Sequence, residues 1–167
     1  MRVRLAFAGV VAALTTFVGL TTVAVAGPDG SEGAVACVFN TQLRTDNEVR
    51  TTPNTSVASG QAQIKVLNDG TIEFIVFVLN PAGENFLVGH IHGPATVTEN
   101  AGIVVDLLGG PAGGSPFTEK TTTLMGDGVP RTAAVGIAEL LCASPQSYYV
   151  NFHTMTEPTG AIRGQLG

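Results

Sequence analysis

The sequence predicts an all-β fold, a Greek-key β-sandwich or barrel of about eight short strands with at most one short helix. Three observations carry this expectation. Apolar and polar residues alternate with period two, as where Ala58, Gly60, Ala62, Ile64 and Val66 are set against Ser59, Gln61, Gln63 and Lys65. Turn-forming clusters recur at short intervals, with Asn68-Asp69-Gly70 the clearest hairpin signal. Only Ala133–Ala143 places its apolar residues near helical spacing, through Val135, Ile137, Ala138, Leu141 and Cys142. Many short strands with frequent turns are the signature of a sandwich or barrel.

The chain opens with a segment that does not belong to this fold. Arg2 and Arg4 give a positive start, Leu5–Leu20 is apolar, and Ala24-Val25-Ala26 is a small-x-small cleavage site. Residues 1–26 therefore read as a secretory signal peptide, followed at once by the helix-breaking Gly27-Pro28-Asp29-Gly30. Residues 27–33 read as a flexible lead, and 34–167 as one β domain. Its expected strands are Ala34–Leu43, Val57–Leu67, Thr71–Leu79, Phe86–His92, Gly102–Leu108, Glu119–Leu124, Ser147–Thr154 and Ala161–Leu166, the sixth polar and suited to an edge. Residues 44–55 and the Gly/Pro-rich Gly109–Pro116 read as loops, and Gly126-Asp127-Gly128 as a turn.

Removing 26 of the 167 residues leaves 141, enough for one proper core. The two leading arginines go with the cleaved segment. Six basic residues then face thirteen acidic ones, a formal charge of −7. An acidic chain without a basic cluster is a poor nucleic-acid binder, and no second stretch is apolar enough to span a bilayer. Export makes a disulfide between Cys37 and Cys142 the default; no CxxC spacing supports the two thiols as metal ligands. The expected location is secreted or extracytoplasmic.

All three histidines fall in two strand-like motifs, Gly89-His90-Ile91-His92-Gly93 and Tyr149-Val150-Asn151-Phe152-His153-Thr154. Strand residues i and i+2 share a face, so His90 and His92 point the same way with backbones roughly 7 Å apart. A third imidazole from a neighbouring strand, His153, would complete a site for one metal ion. All-nitrogen ligation suits copper first and zinc second, and an open further position would take water or a small ligand. Asn151 and Tyr149 alternate with His153 and are candidates to share its face. Asp106 is a candidate to orient an imidazole, and Met155 a weaker one as a sulfur ligand. The plainer reading makes the histidines polar residues of the sheet that serve the fold. Arg163 reads by default as an exposed strand residue. No nucleophile elbow, P-loop, dinucleotide fingerprint or zinc-protease helix motif is present.

Four ordered motifs, Gly89-His90-Ile91-His92-Gly93-Pro94-Ala95, Gly102–Leu107, Tyr149–Thr154 and Pro158–Leu166, together resemble the CHRD (chordin-type) domain over Ala34–Gly167. That resemblance implies an extracellular all-β module. A more distant similarity is to the copper/zinc superoxide dismutase β-barrel. It carries a His-x-His on one strand and a later copper-ligand histidine before a Gly-rich turn and a closing strand. His90, His92 and His153 match three of those copper ligands by order. The bridging histidine and the zinc histidines have no counterpart, and Arg163 falls where that family has its disulfide cysteine. These departures count against dismutation and against reading the chain as an enzyme. The sequence thus points to an exported protein binding one copper or zinc ion through three histidines, in extracytoplasmic metal handling or redox. The alternative is a metal-free structural or interaction module at the cell surface or matrix, with extracellular protein partners.

Overall fold

A computed structural model describes residues 33–131 and 136–167. The signal-peptide reading of 1–26 and most of the lead 27–33 lie outside the described residues. Eight antiparallel strands form one closed barrel: β1 (Val35–Arg44), β2 (Ser59–Leu67), β3 (Ile72–Leu79), β4 (Phe86–His92), β5 (Ile103–Leu108), β6 (Thr121–Pro130), β7 (Tyr149–Thr154) and β8 (Ile162–Gln165). A single α-helix among the described residues, α1 (Ile137–Ala143), lies between β6 and β7. Around the barrel the strands run β1-β2-β3-β6-β5-β4-β7-β8.

Two seams are narrow. Among the described residues β5 pairs with β6 at Val105↔Pro130 and Asp106↔Val129, extended by the Arg131 N–H bonded to the Val104 carbonyl, and β8 pairs with β1 at Arg44↔Arg163. The barrel is thus two four-stranded layers, β1-β2-β3-β6 and β5-β4-β7-β8, closed along two short contacts. Period-two alternation sends Ala62, Ile64, Val66, Phe74, Val76, Val78, Ile91, Val150, Phe152 and Ile162 into the core between them. The inner face of α1, through Ile137, Ala138 and Leu141, joins the same core. The Cys37–Cys142 disulfide ties α1 to β1 across a separation of 105 residues.

The β2–β3 hairpin shows how local chemistry sets register. Asp69 Oδ1 accepts from the Thr71 N–H at 2.9 Å, Gly70 takes φ +88°, and the Leu67 N–H donates to the Thr71 carbonyl at 2.8 Å. Register then holds from Val66↔Ile72 to Ser59↔Leu79.

Three expectations are corrected, and the helix is present over the described part of its expected span. Gly126-Asp127-Gly128 is not a turn: it lies inside β6, paired with Phe74, Glu73 and Ile72 of β3. A Cβ at Gly128 would come within 2.8 Å of Val105 and 3.2 Å of Ile72 and Leu107, so the absent side chain answers to core packing. The sixth strand is accordingly longer than Glu119–Leu124, although Thr121–Gly128 has β3 as its only ladder partner among the described residues. The helix begins at Ile137, and residues 132–135 of its expected span lie outside the described set. Residues 44–55 are not loose. Arg44 ends β1, Thr45–Asn47 forms a 3-10 turn, Asn54 Nδ2 donates to the Ala161 carbonyl at 2.9 Å, and Arg50 pairs with buried Glu157 at 2.6 Å.

Candidate metal centre

The three histidines meet on the outer face of the β5-β4-β7-β8 layer. β4 pairs with β7 through Gly89↔Phe152, His90↔Asn151, Ile91↔Val150 and His92↔Tyr149, with His153 opposite Val88. Register shifts flank His90–Ile91 against β5 and interrupt the pairing between Phe86 and Val88 against β7. These irregularities reverse the alternation along β4. Phe86 and Ile91 are five residues apart, yet both are buried in the core. Gly89 allows the reversal, since a Cβ there would lie 2.3 Å from the Phe152 ring. With Ile91, Val150 and Phe152 turned inward, His90, His92, Tyr149, Asn151 and His153 share the opposite face.

The ligand atoms of His90, His92 and His153 all lie within 4.8 Å of one another. Ring centroids are 5.1 Å apart for His90–His153, 5.4 Å for His90–His92 and 5.6 Å for His92–His153. All three residues are buried, at 7–8 % exposure. Two have their tautomer fixed by the backbone. His92 Nδ1 is 3.0 Å from the Ala101 carbonyl and His153 Nδ1 is 3.1 Å from the Pro158 carbonyl. A carbonyl only accepts, so both Nδ1 atoms carry hydrogen and both Nε2 atoms keep a lone pair. Those two Nε2 atoms and Nδ1 of His90 are buried without any hydrogen-bond partner. Burial pushes every ring toward the neutral form: His90 falls to about 3, helped by His153 and His92, His153 falls to about 4, helped by His92, and His92 is also lowered. Three neutral imidazoles with three free lone pairs are a donor set fit for one borderline metal ion. Met155 is 65 % exposed and stands apart from it.

The three candidate helper residues are all buried here. Asp106 is opposite His90 on β5, with Oδ1 at 2.6 Å from Arg131 Nη2 and 3.6 Å from His90 Nε2. The longer distance exceeds a hydrogen bond. Together with the Arg131 contact, it explains why Asp106 does not keep His90 charged. Tyr149 stacks on His92, with centroids 5.1 Å apart and planes 7° from parallel, and its hydroxyl accepts from the Ala101 N–H at 3.1 Å. Asn151 lies between His90 and Arg163 in the register, and its Nδ2 donates to Glu48 at 3.4 Å.

Two neighbours escaped the sequence reading. Arg163 is 1 % exposed, not an exposed strand residue, and its guanidinium lies 3.5 Å from the Tyr149 ring centroid. Glu48 comes from the segment read as loose; burial raises its carboxyl to about 7 against the lowering pull of Arg163 and Asn151. Gly160 was a weak pointer to Glu48, because a Cβ there would sit 2.4 Å from the Glu48 carboxylate.

Residues 39–166 match the CHRD domain. The chain belongs to the CHRD domain family. Neither a search of curated proteins nor a search of solved structures returns a match. The histidine motifs and the buried helper residues all lie inside the matched span. So do Arg163 and Glu48, which ties the site to the CHRD domain itself. Among the described residues no helix is long and apolar enough to cross a membrane.

Proposed function

We propose that this CHRD-domain protein binds one metal ion, copper in preference to zinc, through His90 Nδ1, His92 Nε2 and His153 Nε2, and serves extracytoplasmic metal handling or redox. One observation carries the reading: each of the three histidines has a buried ring nitrogen without a hydrogen-bond partner, and ligand atoms of the three rings lie within 4.8 Å of one another. Buried polar atoms are almost always satisfied, and a cluster of unsatisfied acceptors of one chemical type is best explained by a shared cation. Imidazole-only ligation favours copper over zinc by affinity order and disfavours the oxygen-seeking magnesium and calcium. The bound ion would supply Lewis acidity or one-electron chemistry, while the protein holds the tautomers and excludes competing protons. The outward-facing histidines on one layer of an eight-stranded barrel support kinship with the superoxide dismutase-like Greek-key barrel. Export through cleavage after Ala26 agrees with the disulfide and with the family, whose members are read as extracellular modules.

A second reading, a metal-free interaction module, draws on the opposite layer. There Ile75, Phe77 and Leu79 of β3 and Met125 of β6 are exposed on one face. Titration of the purified mature domain with Cu(II), followed by electron paramagnetic resonance, separates the two. The metal reading expects a one-to-one complex with nitrogen hyperfine structure that a His153→Ala variant loses. Absence of stoichiometric copper binding, with zinc also failing in calorimetry, overturns it and leaves the interaction module.

A further inference from the structure

The tautomer of His92 depends on a single carbonyl, that of Ala101, and Ala101 lies on the loop joining β4 to β5. Within the loop Thr96 and Glu99 bond each other, the Glu99 N–H reaching the Thr96 carbonyl at 3.2 Å and the Thr96 hydroxyl reaching Glu99 Oε2 at 2.8 Å, but this local turn does not fix the Ala101 carbonyl. The Gly93 N–H reaches the Gly102 carbonyl at 3.1 Å at its neck, the Ala95 N–H bonds the Ser147 carbonyl at 2.8 Å and the Ala101 N–H bonds the Tyr149 hydroxyl at 3.1 Å, while β8 supplies the side-chain tethers to the span between. Arg163 Nη2 donates to the Thr96 carbonyl at 3.0 Å and to Gln165 Oε1 at 3.4 Å, and Nη1 donates to Asn100 Oδ1 at 3.1 Å. Gln165 Nε2 donates to the Ala95 carbonyl at 2.9 Å. Asn100, beside Ala101, also donates to the Val49 carbonyl at 2.8 Å.

The same guanidinium covers one face of Tyr149, while His92 is stacked on Tyr149. Arg163 therefore reaches His92 by two routes. One is the stack through Tyr149, which limits ring tilt. The other is the loop, which delivers the carbonyl that binds Nδ1. Its hydrogen-bond acceptors are all neutral, and the Glu48 carboxyl is its charged neighbour without a direct hydrogen bond between them. A planar fork that can stack and bond three loop and strand acceptors at once is a property of arginine that lysine lacks.

We infer that Arg163 is the positioning residue of the metal centre, holding His92 in the Nδ1–H tautomer with Nε2 presented for ligation. The inference rests on the metal reading for its purpose, but its physical content belongs to the metal-free protein. His153 is an internal control, because its Nδ1 is held by Pro158, on a turn that Arg163 does not bond.

The test uses the mature protein and the variants Arg163→Lys and Asn100→Ala. The second replaces an exposed loop residue, and it carries the test if the first fails to fold. Long-range nitrogen–proton correlation spectra of the metal-free proteins report each histidine's tautomer. The expected result is a fixed Nδ1–H form for His92 and His153 in the parent. In the variants His92 becomes a tautomer mixture while His153 stays fixed, and Cu(II) affinity falls about 10–100-fold, the usual loss when a ligand's orienting partner is removed. An unchanged His92 tautomer overturns the inference. Equal disturbance of His92 and His153 also overturns it, since that is general loosening of the fold. A selective His92 change in a parent that binds no copper upholds the positioning role and sinks the metal reading alone.

Discussion

The three buried imidazoles make a distinctive prediction for the metal-free protein: acid should destabilise it in part through His153, and removing that ring should remove that part. Unfolded, His153 titrates at its ordinary 6.5; folded, burial and His92 hold it near 4. A group whose folded value is depressed supports the fold above its unfolded value, and that support is lost as pH falls toward the folded one. At about pH 4.5 the unfolded ring is almost fully protonated and the folded one largely is not. The linkage works out at about 2–3 kcal/mol of lost stability relative to pH 7. Other groups titrate in the same window. Glu48, raised to about 7, acts oppositely, stabilising the fold at acid pH and losing that effect as pH rises through 7. The parent protein alone therefore cannot isolate the histidine. The difference between parent and His153→Asn can, because Glu48 is common to both. Removing His153 also relaxes His90, which sits near 3 chiefly through burial and secondly through His153. That change adds to the difference in the same direction. Urea unfolding of both chelator-treated proteins at pH 7 and about 4.5 is the assay. The parent should lose about 2–3 kcal/mol more than the variant between the two conditions. An equal fall in both would refute the claim that the fold holds the His153 ring neutral.

Two further perturbations test the frame that presents the site. Replacing Cys37 and Cys142 by serine releases a loop closed over 105 residues, and denaturant unfolding should show a loss of up to ~4–5 kcal/mol. Gly89→Ala drives a methyl group into the Phe152 ring, so thermal unfolding should report about 1–3 kcal/mol of overpacking, partly recovered by adding Phe152→Leu. A Gly89→Ala protein as stable as the parent would show that β4 and β7 are not packed in the register that aligns the histidines.

What could be read without the structure divides by range. β4 was legible to the residue, Phe86–His92, because β-branched and apolar residues end at Gly93-Pro94 and begin after a Pro/Gly/Asn loop. The shared face of His90 and His92 followed from period two alone. β6 was misread because Gly126-Asp127-Gly128 has the composition of a turn. Gly128 instead leaves room for Val105, Ile72 and Leu107, a demand set by strands distant in sequence. Arg163 was misread for a related reason. A strand arginine defaults to solvent, and only the tertiary fold supplies the Tyr149 face and the loop carbonyls that bury it. Glu48 was hidden because its segment has no periodicity, and its burial comes from being laid across β7 and β8. Local signals thus reached the ligating rings, while the groups that orient them depended on which strands became neighbours.

That division bears on why the histidines are where they are. If they served only the fold, each ring nitrogen facing the protein would be expected to find a partner, as His92 Nδ1 and His153 Nδ1 do. Leaving a buried acceptor unmade costs about 1–3 kcal/mol, and three such atoms in one place would be a large burden for a domain of this size. Apolar residues of similar volume would avoid it. The fold instead spends a buried arginine, a stacked tyrosine and two backbone carbonyls on keeping ring nitrogens fixed and unpartnered. Preorganisation of that kind gains nothing for the empty protein and much for one that receives an ion, because the rings need not be ordered or deprotonated when it arrives. The same reasoning explains the depressed histidine values. Rings that burial holds neutral, His153 down to about pH 4, His90 lower still and His92 below its ordinary value, stay open to a cation in mildly acid solution.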